Sequence, residues 1–223
     1  MKKLLTAVCI LILIASLGCA DATTLSYTRT IPLSTTNWAN SISVPKFDAS
    51  LGTLNQITFT LNGHVEGAAR LENLETIPAN ITVNLSAMLK MMRPDTSVIV
   101  VTIPVVSVTE LIAAFDGVID FGGLSGRTHE NLAGNHSETS VSPPPLSDLA
   151  LFSGTGDIVL PVSADGYSSG SGAGNLLLQF NTLASAEATV TYDYSSVPEP
   201  SGLLALLSGL GGLAGLVTRF RKA

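Results

Sequence analysis

A two-residue rhythm constrains this chain more than any other feature. Gln56 to Leu61 sets Ile57, Phe59 and Leu61 on one face against Thr58 and Thr60 on the other. Ile81 to Leu85 does the same with Ile81, Val83 and Leu85 against Thr82 and Asn84, and Ala186 to Tyr194 with Ala188, Val190, Tyr192 and Tyr194. Successive side chains of a β-strand point to opposite faces, so this alternation marks half-buried strands. Further strand-like runs are Thr24 to Ile31, Asp157 to Val162 and Leu176 to Phe180. Val98 to Val108 is apolar but interrupted by Pro104, which marks an edge or a break between two strands. Only Val108 to Phe115 reads as weakly helical. Asn62-Gly63, Asp116-Gly117, Gly122-Gly123, Gly154 to Gly156 and Asp165-Gly166 supply the residues that tight turns need. Two stretches read as loops: polar Gly126 to Pro145 and the Gly/Ser tract Tyr167 to Asn175. Roughly nine to eleven short strands predict an all-β protein, a single antiparallel β-sandwich with a jelly-roll-like arrangement.

The two ends do not share this rhythm. Lys2 and Lys3 precede an apolar run from Leu4 to about Leu17, and Ala20-Asp21-Ala22 offers a small-x-small site. Residues 1–22 therefore read as a signal peptide cut after Ala22. Cleavage after Ala20, or lipid attachment at Cys19, are the alternatives; Ser16 stands where a lipoprotein signal prefers Leu. At the other end Ser201 to Thr218 carries no charge, and Arg219, Arg221 and Lys222 follow. As a helix that segment would reach about 27 Å, close to the hydrocarbon thickness of a bilayer. The basic stop favours the cytoplasmic side and leaves the bulk of the chain outside. The expected division is 1–22 signal peptide, 23–196 exported β domain and 197–223 C-terminal signal with a transmembrane helix.

Composition narrows the partners. Both cysteines, Cys9 and Cys19, fall in the leader, so the exported domain has no disulfide and no thiolate metal site. From Thr23 to Pro200 there are 6 basic and 16 acidic residues, a net charge of −10. That surface repels phosphate backbones, which argues against nucleic acid and leaves divalent cations as more plausible partners.

Pro198-Glu199-Pro200, the apolar segment and the basic end together resemble the PEP-CTERM sorting signal. The resemblance implies processing near that motif by exosortase, an integral-membrane cysteine peptidase. It also implies delivery to the surface or exopolysaccharide matrix of a Gram-negative bacterium by way of an inner-membrane intermediate. The two prolines keep the linker extended and stop a helix from continuing upstream. The body resembles the choice-of-anchor E domain in six places: Pro45 to Leu54, Glu72-Asn73, Phe115 to Gly126, Asp148 to Gly156, Gly172 to Asn175, and Val190 to Tyr194. That family implies a displayed module and carries no catalytic residues to transfer.

The leading expectation is thus an exported, non-catalytic surface or biofilm-matrix protein whose partners are signal peptidase, exosortase and exopolysaccharide. A rival is a carbohydrate- or calcium-binding adhesin. Asp116 and Asp120 frame the Gly-rich loop Asp116 to Gly126 and are hard oxygen ligands suited to Ca²⁺. The blander reading is that they bond their own backbone in turns. Another rival is an envelope hydrolase. His129-Glu130-Asn131-Leu132-Ala133 begins like the zinc motif H-E-x-x-H, but Ala133 replaces the second His and the next is His136. No G-x-S-x-G elbow is present, although Ser125 sits in a similar Gly-rich setting. His64, after Asn62-Gly63, reads as a surface strand residue. The domain has one Trp, Trp38, few rings for a sugar platform.

Overall fold

In the computed structural model, residues 22–144 and 147–197 are described, together with Gly209. Residues 1–21 of the leader, Pro198, Glu199 and Pro200, the expected transmembrane segment except Gly209, and the basic Arg219, Arg221 and Lys222 lie outside the described residues. Among the described residues no helix is long and apolar enough to cross a membrane.

Among the described residues ten strands form: β1 (Ala22–Thr35), β2 (Trp38–Pro45), β3 (Gly52–Asn73), β4 (Ala79–Met92), β5 (Val98–Thr102), β6 (Val105–Ile112), β7 (Gly126–Ser142), β8 (Asp157–Gly166), β9 (Ser169–Ser171) and β10 (Leu176–Ser196). Within residues 22–144 and 147–197, helix comprises a 3-10 turn (Ala49–Leu51) and α1 (Leu149–Phe152). All strand pairs between these elements are antiparallel. One sheet has the order β1-β10-β3-β7; the other runs β2-β8-β4-β5, with β6 and β9 pairing the first half of β4. The two sheets pack face to face as an all-β sandwich.

The alternation seen in the sequence is what fills the space between the sheets. Ile57, Phe59, Leu61 and Val65 of β3 point inward, as do Leu85, Leu89 and Met91 of β4. Beneath them β10 contributes Ala184, Ala186 and Ala188, then Val190 and Tyr192. Small alanines opposite large side chains let the sheets approach closely. A smaller cluster of Ala69, Leu71, Ile81, Val83 and Ile112 continues the core to one end.

Four local expectations are corrected. Val108 to Ile112 is strand: β6 alternates strictly between exposed and half-buried positions until Ile112 is buried, and pairs Thr109 with Thr82. A paired neighbour overrides a weak helical preference. Gly126 to Ser142 is the long edge strand β7, not a loop; most of its side chains face solvent, so no apolar stripe announces it. Asn62-Gly63 does not turn the chain but lies within β3. Gly63 is there because a Cβ would come within 2.9 Å of Thr102 Cγ2 and 3.0 Å of Pro104 Cδ on the facing sheet. Part of the Gly/Ser tract becomes β9, paired with Thr82 to Asn84. Pro104 does separate β5 from β6, and Gly117 and Gly123 adopt φ of +95° and +59° in the turn between β6 and β7.

The register defines two ends. Ala22 pairs with Ser195, and Ser196 with Gly52, so the chain enters and leaves the sandwich at one place, the entry end. At the opposite, far end Leu176 pairs with Asn73 and Glu72 with Gly126. The twenty or so residues of β10 between them span about 65 Å.

Candidate functional site

The loop that carries Asp116 and Asp120 forms the tip of the far end. Its support is a buried carboxylate. Glu72, at 0% exposure, accepts from Ser125 Oγ at 2.5 Å and from the Phe121 N–H at 2.7 Å. Beside it, buried Asn73 donates to the carbonyls of Ala113 and Ile77 and accepts from the Glu75 N–H. A buried carboxyl group is tolerable when its oxygens are hydrogen-bonded in this way.

Within the loop, Asp116 accepts from the N–H groups of Val118 and Leu124, and these bonds hold its carboxyl below the usual range. Asp120 accepts from the Gly122 N–H. Both therefore act as turn-forming side chains. Among the described residues no group of three or more His, Cys, Asp or Glu gathers in a form that could hold a metal ion. The tip also leaves Val118, Ile119 and Leu124 exposed.

The histidines do not meet. His129 pairs with Ala69 and His136 with Gly63 along β7, seven residues and about 23 Å apart. A bulge in β7 between Leu132 and His129 keeps both on the inward face, opposite Ala69 and Gly63, so distance alone holds them apart. His129 lies 3.9 Å from Glu110, its Nε2 buried without a hydrogen-bond partner, while Arg127 reaches the same carboxylate at 3.4 Å. His136 Nδ1 is 3.1 Å from Thr102 Oγ1, across the seam between the sheets. Ser125 is buried and committed to Glu72.

The entry end is built from rings. Phe47, Phe152 and Tyr192 are buried, and Tyr192 is edge-on to both phenylalanines, with Phe47–Tyr192 centroids 5.9 Å apart and Phe152–Tyr192 6.5 Å. Phe152 also meets Phe59 at 5.1 Å. The Tyr192 hydroxyl donates to Pro45 O at 2.8 Å, and burial raises its pKa above the ordinary value. Next to the rings, Arg93 grips Asp148 with Nε–Oδ1 at 2.6 Å and Nη2–Oδ2 at 2.8 Å. The guanidinium holds the Asp148 carboxyl below its usual range, while Arg93 is raised. The stretches that carry the choice-of-anchor E resemblance thus fall mainly at the two ends: Pro45 to Leu54, Asp148 to Gly156 and Val190 to Tyr194 at the entry end, Glu72-Asn73 and Phe115 to Gly126 at the far end.

A feature not foreseen from the sequence lies between them, on the outward face of the sheet β1-β10-β3-β7. An open depression of about 650 Å³ is lined by Asn62, His64, Asn135, Ser137 and Glu187, with Leu33 among its apolar walls. His64 Nδ1 is 2.8 Å from Asn135 Oδ1, and its Nε2 is 3.3 Å from Glu66 Oε2. Asn62 donates to Glu187 at 3.0 Å and accepts from Ser137. The signal was present: Asn62, His64 and Glu66 continue the outward phase of Thr58 and Thr60. Reading Asn62-Gly63 as a turn hid it.

Two antiparallel sheets face to face place the protein in the class of all-β sandwiches. No family model matches the sequence, and no curated protein matches it. Among solved structures, the VP2 subviral particle of infectious bursal disease virus is similar at a TM-score of 0.25 and 10% identity, over 80% of this chain and 42% of that chain. The Gx strain of that virus gives a TM-score of 0.18 and 11% identity, again over 80% and 42%. The chain spans less than half the length of these viral chains, and likenesses at such TM-scores carry no argument.

Proposed function

We propose that this is an exported, non-catalytic surface or matrix protein, sorted through its tail and cut by exosortase near Pro198-Glu199-Pro200. The observation that carries this reading is the pairing of Ala22 with Ser195. The leader side and the tail side leave the sandwich together, so a membrane-held tail would present the rest of the domain outward. Val197 ends the described domain one residue past β10, which leaves a short linker between the folded sheet and the sorting motif.

The sandwich is read as a jelly roll. If β5 with β6, and β8 with β9, are each taken as one interrupted strand, eight rows remain in the order 1-8-3-6 and 2-7-4-5. Jelly rolls occur among lectins and capsids alike, so the architecture supports a displayed module without naming its ligand. The calcium version of the adhesin reading gains no support, since Asp116 and Asp120 already serve backbone N–H groups.

The test is intact mass and fractionation in the native host. A species from Thr23 to near Pro200, found outside the inner membrane, supports the reading. Pro198→Ala with Pro200→Ala should then leave the tail uncut and the protein in the inner membrane. A wild-type protein that keeps Arg219 to Ala223 there overturns it.

A further inference from the structure

We propose that the outward face of the sheet β1-β10-β3-β7 binds a neutral polysaccharide chain, seated in the depression at Asn62, His64 and Glu187 and extended along rows of Thr and Ser. The proposal rests on the reading of this protein as a matrix component and names the partner surface.

The register builds the rows. Thr28, Thr189, Thr60 and Thr139 lie side by side across all four strands. Ser26, Thr191 and Thr58 form the next row toward the entry end. Thr30, Glu187, Asn62 and Ser137 form the row on the other side, which runs into the depression. Strand spacing and rise set this grid at about 4.8 by about 6.7 Å. Neighbouring hydroxyls are paired: Ser26 with Thr191 at 2.8 Å, Thr28 with Thr189 at 2.9 Å and Thr60 with Thr139 at 3.3 Å. Each pair spends one O–H and one lone pair, and keeps its second O–H and other lone pairs for a ligand. A repeating polyol offers the complementary set.

Charge selects the class of polymer. Glu187 lines the depression, Glu66 is bonded to its His64, and no Lys or Arg is among its lining residues. A uronate or phosphate polymer would meet carboxylates there without a counter-charge. A neutral glycan instead finds acceptors in Glu187 and Glu66 and two-way partners in Asn62, Asn135 and Ser137. No Phe, Tyr or Trp ring lies among the depression's lining residues or in these rows. Affinity therefore comes from many hydrogen bonds along a chain, and long polymers should bind far better than short oligosaccharides.

The experiment uses full-length protein in detergent micelles, run by affinity electrophoresis through gels holding a soluble β-glucan, a galactomannan or polygalacturonate. The expected result is retardation by at least one neutral polymer and none by polygalacturonate. Asn62→Ala with Glu187→Ala should weaken it at least tenfold. Thr60→Val with Thr189→Val, which keeps shape and strand preference, should weaken it several-fold. Thr82→Val with Thr109→Val, on the other sheet, should leave it unchanged, and thermal unfolding verifies that each variant is folded. Binding to no neutral polymer, a preference for polygalacturonate, or wild-type retardation of the depression variant overturns the proposal. A protein that is cut at its tail yet binds no neutral glycan sinks this proposal alone. One that binds but keeps its tail sinks the sorting reading alone.

Discussion

The two ends of this sandwich are closed in opposite ways. At the entry end Phe47, Phe152 and Tyr192 exclude water and a buried Arg93–Asp148 pair sits beside them. At the far end a lone buried carboxylate, Glu72, and the amide of Asn73 hold a loop by its backbone. Rings are indifferent to the exact course of a loop, whereas Glu72 and Asn73 specify it atom by atom. The comparison teaches that the first end stores stability and the second stores shape.

The largest expected effect is at the entry end. Phe152→Ala should cost about 3–5 kcal/mol in chemical denaturation, because the ring is fully buried between Phe59 and Tyr192. A loss under about 1 kcal/mol would break the claim that rings dominate there. Asp148→Ala comes next, at about 3 kcal/mol, since it strands the largely buried Arg93 guanidinium. The same pair gives a pH dependence. The folded Asp148 pKa is lowered, so its contribution is complete above the unfolded value and is lost as pH falls through the folded one. Acid should therefore weaken the wild type below about pH 4, and weaken the Asp148→Ala protein less. Equal acid sensitivity in both would assign the effect elsewhere.

Glu72→Ala should cost about 2 kcal/mol by leaving the Phe121 N–H and the Ser125 hydroxyl unmet. Its sharper readout is hydrogen exchange, which should quicken over residues 115–126 while the β3–β10 ladder stays protected. Global loosening would erase the distinction between the ends. The smallest effect concerns calcium: millimolar Ca²⁺ or its chelation should leave the melting temperature unchanged, because the loop carboxylates are already engaged. A rise of several degrees would show that the tip is held by an ion as well.

Legibility in the sequence followed burial. β3, β4 and β10 were readable at Gln56 to Leu61, Ile81 to Leu85 and Ala186 to Tyr194, where one face is buried and alternation is enforced. β7 was not, because an edge strand that buries little writes no apolar stripe. The turns at Gly117 and Gly123 were readable, since positive φ leaves its mark on residue choice. The support beneath them was not, because Glu72 and Ser125 are 53 positions apart and nothing local ties them. The depression was the least legible, with its side chains drawn from four strands near positions 30, 62, 135 and 187.

The place of β10 has a consequence for the order of events in the cell. It is the last of the ten strands to be synthesised, yet it lies between β1 and β3 and is the partner of both. The contact of Ser26 with Thr191 spans 165 positions of chain. Until β10 emerges, β1 has no neighbour in its sheet and the sandwich cannot close, and pairing over such distances is slow in any case. The β1 edge of that sheet is therefore the last part of the fold that can be completed.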